Sequence, residues 1–360
     1  MRIEDGIKLD FKDVLIIPKR SRMPSRANVD LTKTYKFRNS GVQLTCVPII
    51  SANMDTTGSF KMAIALAKHN MLTALHKHYS LDELSDFFAK NRNIWNNVFY
   101  TVGANDKDFD KLAEFCKKLD FLTCNRYPPL LSLDAANGYT EVFVSYVVKL
   151  RKLYPEAVIM AGNVVTSEMT EQLILSGADI CKIGLGSGSA CLTRVMSGVG
   201  YPQLSAVIST ADAAHGIGGH VCSDGGHTCV GDIVKSLGAG ADFIMIGNML
   251  SGTDECDGEW VYDIIPPEFT HPTPVKKFLK FHGMSSKEAM ELHNGGMASY
   301  RAAEGKEVLV PYKGSVDDVV QQITGGIRSA CTYVGASKLK DLSKCTTFIR
   351  TTVQENKVFG

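Results

Sequence analysis

The chain has 360 residues, with 39 Lys and Arg against 38 Asp and Glu, so its formal net charge is only +1. This balance excludes a broad basic surface for DNA, RNA or anionic membranes. Hydrophobic residues make up 44% of the sequence, which excludes a disordered chain. No apolar run approaches the roughly 18 residues of a membrane span, and the charged start lacks the apolar stretch of a signal peptide. We therefore expect a cytoplasmic protein with no nucleic-acid or membrane partner.

The ten cysteines are spread from Cys46 to Cys345 without a Cys-x-x-Cys pair. In a chain with no secretory signal they are expected to be reduced thiols rather than a disulfide framework. The nearest approach to a metal cluster is Cys222, His227 and Cys229, but their spacing matches no zinc pattern, so no zinc site is predicted there.

Eight short apolar runs end in Gly, Asn, Asp or His and alternate with helical patterns such as Phe60–Ala67 and Glu141–Leu150. Such strands are typical of a parallel sheet covered on both faces. Two segments, Ser176–Gly184 and Ala239–Gly247, repeat one unit in which a glycine closes a helix before a strand. We predict a single (β/α)8 TIM barrel over residues 1–360, without an inserted regulatory domain; a doubly wound open sheet is the alternative. The predicted strands are Val47–Met54, Leu72–His78, Val98–Gly103, Leu130–Asn137, Ala157–Asn163, Ala178–Gly184, His220–Gly225 and Ala241–Gly247.

Two polar excursions follow the eighth strand, over about residues 251–282 and 295–313, before a final helix near Val316–Ala336. Loops of this length in a compact domain are usually lids or binding loops. We predict a flexible active-site excursion around residues 251–313.

A glycine-rich loop, Gly184 to Arg194, follows the sixth strand and contains Cys191. It does not fit a dinucleotide fingerprint, because the glycine spacing differs and no acidic residue ends a strand about 20 residues further on; a plain tight turn is the simplest alternative. Cys191 is either a buried structural cysteine or a nucleophile whose thiolate is favoured by solvent and by the adjacent Thr193 and Arg194.

Asp224 ends the seventh strand, where a carboxylate can accept two ribose hydroxyls. The glycines that follow can offer backbone N–H groups to phosphate; the alternative for Asp224 is a capping residue before a turn. Glu304 could simply be a charged residue on a solvated loop, and Lys77 could simply belong to a polar strand end. Lys77 is nevertheless well placed to contact an anionic ligand. The predicted phosphate cup comprises Ser189, Gly225, Gly226, Gly247 and Asn248.

Taken together, these stretches resemble the IMP dehydrogenase/GMP reductase family over nearly the whole chain. The reductase branch is the closer match, because His78 and the strand at Val98 are too close in sequence to enclose a regulatory domain, and because the loop glutamate and Met-Ser-Ser sequence resemble the reductases. The motifs are Leu9–Val14, Ala52–Asp55, His76–Tyr79, Ala161–Val165, the Cys191 loop, Gly198–Leu204, Ser223–Gly226, Gly283–Ser286, Tyr300–Gly305 and Gly325–Gly335.

The resemblance implies NADPH-dependent reductive deamination of GMP to IMP and ammonia, a step of purine interconversion and salvage. Cys191 would attack C2 of GMP to form a thioimidate, and Thr193 with Glu304 would transfer the protons that the leaving ammonia needs. Asp224 would hold the ribose, and the phosphate cup the phosphate. The residues implied at the purine are Gly283, Met284, Ser285, Arg301 and Gly305.

The resemblance also implies a cofactor site, a cation site and an assembly. A monovalent cation, expected to be potassium, would bind at Gly186, Gly188 and Cys191 with Arg194 adjacent. Ser25 and Arg26 match positions that reach a neighbouring subunit's cofactor, which implies a homotetramer. The implied NADPH contacts are Ser25, Arg26, Lys77, Asp134, Ala135, Ala136, Leu185, Gly186, Tyr300, Ser329 and Thr332.

Several positions depart from the family pattern. Ser187 replaces a usual proline and predicts a floppier loop, Leu192 replaces a threonine, and Asn248 replaces a glycine in the phosphate cup. Residues 124–129 look like a small insertion. The alternatives left open are an IMP dehydrogenase without its regulatory domain, a non-catalytic purine-nucleotide-binding barrel, and a flavin-bound barrel.

Overall fold

The computed structural model describes residues 3–123, 130–263 and 276–352 and contains a closed barrel of eight parallel strands. All eight predicted strands are present, which confirms the (β/α)8 prediction over the open-sheet alternative; the predicted insertion at 124–129 lies outside the described residues. In barrel order from the first, the strands are β4 (Ile49–Ser51), β5 (Leu72–Ala74), β6 (Val98–Gly103), β7 (Leu130–Asp134), β8 (Val158–Val164), β9 (Ile180–Ile183), β10 (His220–Asp224) and β11 (Phe243–Ile246).

Helices cover the barrel, and several begin at a side chain that caps the first turn. Ser59 accepts a hydrogen bond from the amide of Met62, and Ser80 forms a capping box with Glu83. The helices are α1 (Phe60–Lys68), α2 (Leu81–Lys90), α3 (Asp106–Thr123), α4 (Glu141–Leu153), α5 (Ser167–Leu175), α6 (Thr193–Ser197), α7 (Gln203–Gly216), α8 (Val230–Gly238), α9 (Lys287–Asn294), α10 (Val316–Val334) and α11 (Leu342–Cys345).

The repeated sequence unit has a structural explanation at the N-terminal ends of β9 and β11. Its glycines, Gly177 and Gly240, have φ of +120° and +107°, a backbone conformation that residues with a side chain rarely adopt. The aspartates that follow are buried, and each accepts a hydrogen bond from a backbone amide of the preceding strand. Asp179 also pairs with Arg151 at 2.6 Å, so these carboxylates tie neighbouring strands together below the barrel.

An antiparallel hairpin, β2 (Lys33–Lys36) and β3 (Gln43–Cys46), closes the barrel floor and was not predicted. Its buried aromatic residues Tyr35 and Phe37 join the cluster that fills the barrel interior. The Tyr35 hydroxyl donates to the carbonyl of Asp242 at 2.6 Å. Because the bottom of the barrel is filled, the open end lies at the carboxyl ends of the strands.

The two excursions predicted after the eighth strand contain regular secondary structure. Their described parts form an outer sheet of β12 (Trp260–Asp263), β13 (Lys276–His282) and β14 (Glu307–Pro311), with antiparallel pairing. We call residues 276–313 the outer segment; it contains β13, α9 and β14. A further antiparallel pair joins β1 (Val14–Ile16) to β15 (Phe348–Arg350). Within the described ranges no helix is both long and apolar enough to cross a bilayer.

Candidate functional site

A cleft of about 360 Å³ opens at the carboxyl ends of the barrel strands, between the barrel and the outer segment. The barrel places residues that are far apart in sequence around this one opening. The predicted site residues that line it are Lys77, Asp134, Ala135, Ala136, Leu185, Gly186, Gly188, Ser189, Cys191, Thr193, Asp224, Gly225, Gly226, Gly247, Asn248, Gly283, Met284, Ser285, Glu304 and Gly305.

Cys191, Thr193 and Glu304 form a hydrogen-bonded series at the rim of the cleft. The Cys191 Sγ lies 3.3 Å from the Thr193 hydroxyl, which donates to Glu304 Oε2 at 2.8 Å. All three residues are half-buried. A thiol, a hydroxyl and a carboxylate in this order can move a proton between a sulfur-bound reactant and the carboxylate.

Backbone contacts bring Glu304 across to the cysteine loop. Cys191 and Gly305 form an antiparallel bridge, and the amide of Leu192 donates to the Glu304 carbonyl at 2.6 Å. The amide of Glu304 donates in turn to the Ser285 carbonyl at 3.0 Å. A Cβ at Gly283 would lie 2.7 Å from the Ala190 carbonyl oxygen, so the close approach requires glycine there.

Asp224 lies at the end of β10, facing the cleft. Its Oδ2 accepts from the side-chain amide of Asn163 at 2.9 Å, and Asn163 also donates to the Gly184 carbonyl at 3.0 Å. Burial raises the pKa of the Asp224 carboxyl, while the nearby Lys182 ammonium opposes that rise. The next residues, Gly225 and Gly226, have φ of +85° and +82°, a turn that leaves backbone N–H groups available at the strand end.

Lys182 and Asn163 belong to the site but were missed by sequence reasoning. Lys182 is a buried lysine within β9 whose ammonium pairs with Asp134. Burial opposes ionisation of Asp134, but the charge and hydrogen bond of Lys182, with further help from Lys77 and Asn53, together lower the pKa of that carboxyl. A lysine inside an otherwise apolar strand was the available signal, because a buried lysine requires a charged partner.

Two of the residues that depart from the family pattern, Ser187 and Asn248, make hydrogen bonds near the cleft. The Ser187 hydroxyl donates to the Asp224 carbonyl at 3.2 Å, a bond that ties the glycine-rich loop to β10 and that proline could not make. The Asn248 carbonyl accepts from Lys313 at 3.0 Å. Burial lowers the pKa of the Lys313 ammonium, which lies beside the predicted phosphate cup and was not singled out from the sequence.

The predicted cation ligands lie on one loop. Gly186 has a φ of +74°, and a Cβ there would lie 2.4 Å from Arg194 Cγ. The Gly188 carbonyl accepts from the Cys191 amide at 3.0 Å. Arg194 does not line the cleft and instead donates to the Tyr201 carbonyl at 2.5 Å.

The structure does not bring six other predicted residues into the cleft lining. Ser25 and Arg26 lie at a short 3₁₀ helix that packs against α10, the helix that carries Ser329 and Thr332. Tyr300 is 83% exposed, and its neighbour Arg301 is also exposed. None of these six residues lines the cleft.

Cys222, His227 and Cys229 do not assemble into a metal-binding group within the described residues. Cys222 is buried in the barrel interior, His227 stacks on Phe11 at 5.2 Å between ring centroids, and Cys229 is exposed. The nine described cysteines are free thiols.

Comparison with known proteins agrees with this architecture. A family model described as "IMP dehydrogenase / GMP reductase domain" matches residues 8–357. The chain is 52% identical to a protein of Shewanella halifaxensis named GMP reductase, over 100% of this chain and 99% of the relative. It is 53% identical, with the same coverage, to a protein of Yersinia enterocolitica that carries the same name.

Proposed function

The chain is an oxidoreductase of the IMP dehydrogenase/GMP reductase family, and on this basis we propose that it catalyses the NADPH-dependent conversion of GMP to IMP and ammonia. The observation that carries the proposal is the series from Cys191 Sγ through Thr193 Oγ1 to Glu304 Oε2, beside the cleft that holds Asp224. The GMP reductase name of full-length relatives supports this choice of substrate and direction.

The first chemical step is a substitution at C2 of the purine. The Cys191 sulfur forms a bond to C2, and the bond from C2 to the exocyclic nitrogen breaks. Covalent catalysis divides the replacement of nitrogen by hydrogen into two easier steps. The product of the first step is a thioimidate on Cys191.

The exocyclic amino group must depart as ammonia, so it needs one proton, which the thiol gives up when sulfur bonds to C2. The Thr193 hydroxyl is hydrogen-bonded to both the sulfur and Glu304. Thr193 can therefore pass a proton from the Cys191 thiol toward the carboxylate and return it to the departing nitrogen. A positioned acid–base group of this kind contributes about 10²–10⁴-fold to rate.

Substrate orientation comes from three parts of the cleft. The Asp224 carboxylate can accept the ribose hydroxyls, and the N–H groups of the phosphate cup can bind the phosphate. Met284, Ser285 and Gly305 lie on two neighbouring stretches of the outer segment that would contact the purine, and backbone hydrogen bonds join these stretches to each other and to the cysteine loop. Arg301, also predicted at the purine, is exposed on the outer segment, and we propose that it contacts substrate from that loop.

The remaining wall of the cleft fits a nicotinamide. Ala135, Ala136 and Leu185 provide a small apolar surface, and Lys77 with Asp134 provides a donor and an acceptor for the carboxamide. When bound, NADPH supplies the reducing equivalent that replaces sulfur at C2. Ser25, Arg26, Ser329 and Thr332 lie away from the cleft, so we propose that they complete the cofactor site of a neighbouring subunit in a homotetramer, with Tyr300 from the outer segment.

Three further parts of the proposal concern the environment of the enzyme. The Gly186, Gly188 and Cys191 carbonyls are an oxygen donor set suited to a hard cation such as potassium. The free thiols of the described cysteines are compatible with a cytoplasmic location. The reaction would serve purine interconversion and salvage.

The test is NADPH oxidation with GMP, accompanied by ammonia release, in the parent enzyme and in Cys191→Ser. We expect turnover in the parent, a purine adduct on Cys191 by mass spectrometry of quenched enzyme, and near-complete loss of both in the variant. Reduction of NAD with IMP instead would identify a dehydrogenase. GMP binding without turnover would identify a nucleotide-binding barrel, and undiminished turnover by Cys191→Ser would remove the sulfur from the mechanism.

A further inference from the structure

Four polar side chains meet beside the cleft but outside its lining, where the barrel mouth contacts the outer segment. Asp55 follows β4, His78 follows β5, His282 ends β13, and His293 lies in the last turn of α9. We call these four residues the His/Asp cluster. The proposed reaction uses none of them.

The geometry of the His/Asp cluster is that of converging ligands. One ligand atom from each of Asp55, His78 and His293 lies within 4.8 Å of the others. His293 Nε2 is 2.6 Å and His282 Nε2 is 3.2 Å from Asp55 Oδ2. The rings of His78 and His293 are parallel within 7°, with centroids 3.4 Å apart, so they stack face to face beside Asp55.

One atom of the cluster lacks a partner. Asp55 Oδ1 is buried, and no described group hydrogen-bonds to it. The Asp55 side chain is only 13% exposed and that of His293 15%, so water has little access to replace the missing bond. An unpaired buried carboxylate oxygen is costly unless a cation or donor satisfies it.

We propose that Asp55, His78 and His293 bind a divalent transition-metal ion, with zinc as the representative ion, and that His282 orients the Asp55 carboxylate from the second coordination shell. Two imidazoles and a carboxylate are a common zinc ligand set with bonds of about 2.0–2.2 Å. Tetrahedral ligands at that bond length are roughly 3.4 Å apart, so ligand atoms of the cluster need to approach by at most roughly 1.4 Å. The 2.6 Å pair of His293 Nε2 and Asp55 Oδ2 needs instead to separate by roughly 0.8 Å, and both shifts are within the reach of side-chain torsions.

The metal site joins the barrel to the outer segment. Asp55 and His78 belong to barrel loops, whereas His282 and His293 flank the stretch that contains Met284 and Ser285. Metal binding therefore fastens the purine-facing loop to the barrel mouth. It acts on the position of this loop and takes no part in the chemistry at Cys191.

The second His/Asp group of the protein provides a matched control. His215 and His220 surround Asp242 at the barrel floor, but there Lys33 already donates to Asp242 Oδ1 at 2.7 Å. The Lys33 ammonium already neutralises the Asp242 carboxylate, so we expect no metal ion to bind there. His215→Ala is therefore expected to leave zinc binding unchanged.

The experiment is a zinc titration by calorimetry on a Cys191→Ser/Cys229→Ser parent, which removes two accessible thiols from competition. We expect one zinc per chain, retained within threefold in His215→Ala. Affinity should fall at least 100-fold in His293→Ala and in the isosteric Asp55→Asn, and 10–100-fold in His282→Gln. Cobalt substitution should give a visible absorption spectrum without thiolate-to-metal charge transfer.

Circular dichroism and thermal unfolding in EDTA establish that each variant is folded. If His293→Ala does not fold, the Asp55→Asn variant provides the test of the metal site. The proposal is overturned if the parent binds no zinc at micromolar concentration. It is equally overturned if the folded Asp55→Asn variant binds zinc as the parent does, or if cobalt reports thiolate ligation. Because none of these measurements uses GMP, failure here leaves the proposed reaction untouched.

Discussion

Replacing Glu304 by glutamine tests the proton pathway with the smallest change in shape. The glutamine retains an oxygen that can accept from Thr193, and the backbone bonds of residue 304 to Leu192 and Ser285 are unaffected. What the substitution removes is the ability of this side chain to take up and return a proton. The folded structure should therefore persist, with a change in stability below about 1 kcal/mol.

The magnitude follows from the position of the carboxylate. Loss of a general acid–base group costs about 10²–10⁴-fold, and the half-buried position of Glu304 gives water partial access as a substitute. We therefore expect the lower part of that range, a fall in kcat of about 100–1,000-fold, which corresponds to about 2.7–4.1 kcal/mol in the activation barrier. The affinity for GMP should change little, because the role proposed for the carboxylate is proton transfer and not substrate binding.

The assay is rapid-quench measurement of ammonia release with GMP and NADPH, with GMP affinity measured separately by calorimetry. The control is Glu307→Gln, the same substitution at an exposed glutamate three positions away, in β14. Release within threefold of the parent rate in Glu304→Gln would refute the assignment of the proton pathway. Equal losses in both variants would attribute the effect to the outer sheet instead.

Three other predictions test the phosphate cup, a floor ion pair and the buried lysine. Gly225→Ala should weaken GMP binding at least tenfold by calorimetry, because its φ is +85° and the new Cβ would lie 2.8 Å from a neighbouring hydroxyl; Gly216→Ala, where a Cβ meets open space, should not. The pKa of His215 is raised by its hydrogen bond to Asp242, with burial opposing. The stabilisation of the fold by the His215–Asp242 ion pair is thus complete below about pH 6.5, and it is lost as the pH rises through the raised pKa of His215. His215→Gln should therefore lower the melting temperature, and the decrease should be larger at pH 6 than at pH 9. The corresponding loss of unfolding free energy should be less than about 1 kcal/mol, because the His215 side chain is 45% exposed. An equal deficit at both values would contradict this. Lys182→Met should destabilise the fold by about 3–5 kcal/mol in urea, since it removes the ion-pair partner of the largely buried Asp134 carboxylate; an unchanged midpoint would show that the pair is dispensable.

The barrel was predictable because its signal is local. Each barrel strand is a continuous apolar run that ends in a polar residue or glycine, as in Val98–Gly103, and the helices between them show a clear apolar period. The floor hairpin and outer sheet gave no such signal. Their short antiparallel strands, such as Trp260–Asp263, lie within polar segments and are defined by pairing partners distant in sequence.

The candidate site was predictable only where its residues lie at strand ends. Their position at the carboxyl end of a predicted strand was enough to indicate Asp224 and the glycines that follow it. The pairing of Glu304 with Thr193 beside Cys191 was predicted only from the family resemblance. Lys182 was missed because it lies within an apolar strand, where pattern reading treats every residue as core. The His/Asp cluster was missed because 238 positions separate Asp55 from His293, and no spacing rule connects them.

The contact between the cysteine loop and the outer segment controls the proposed chemistry. Thr193 and Glu304 are 111 positions apart, so their 2.8 Å hydrogen bond exists only when the outer segment is docked. Docking depends on the backbone bridge between Cys191 and Gly305 and on the absence of a side chain at Gly283. A substitution that lifts the outer segment by even 1 Å would break the proton pathway while the nucleophile stays in place. The enzyme would then bind GMP and retain a reactive sulfur, but it would release ammonia slowly.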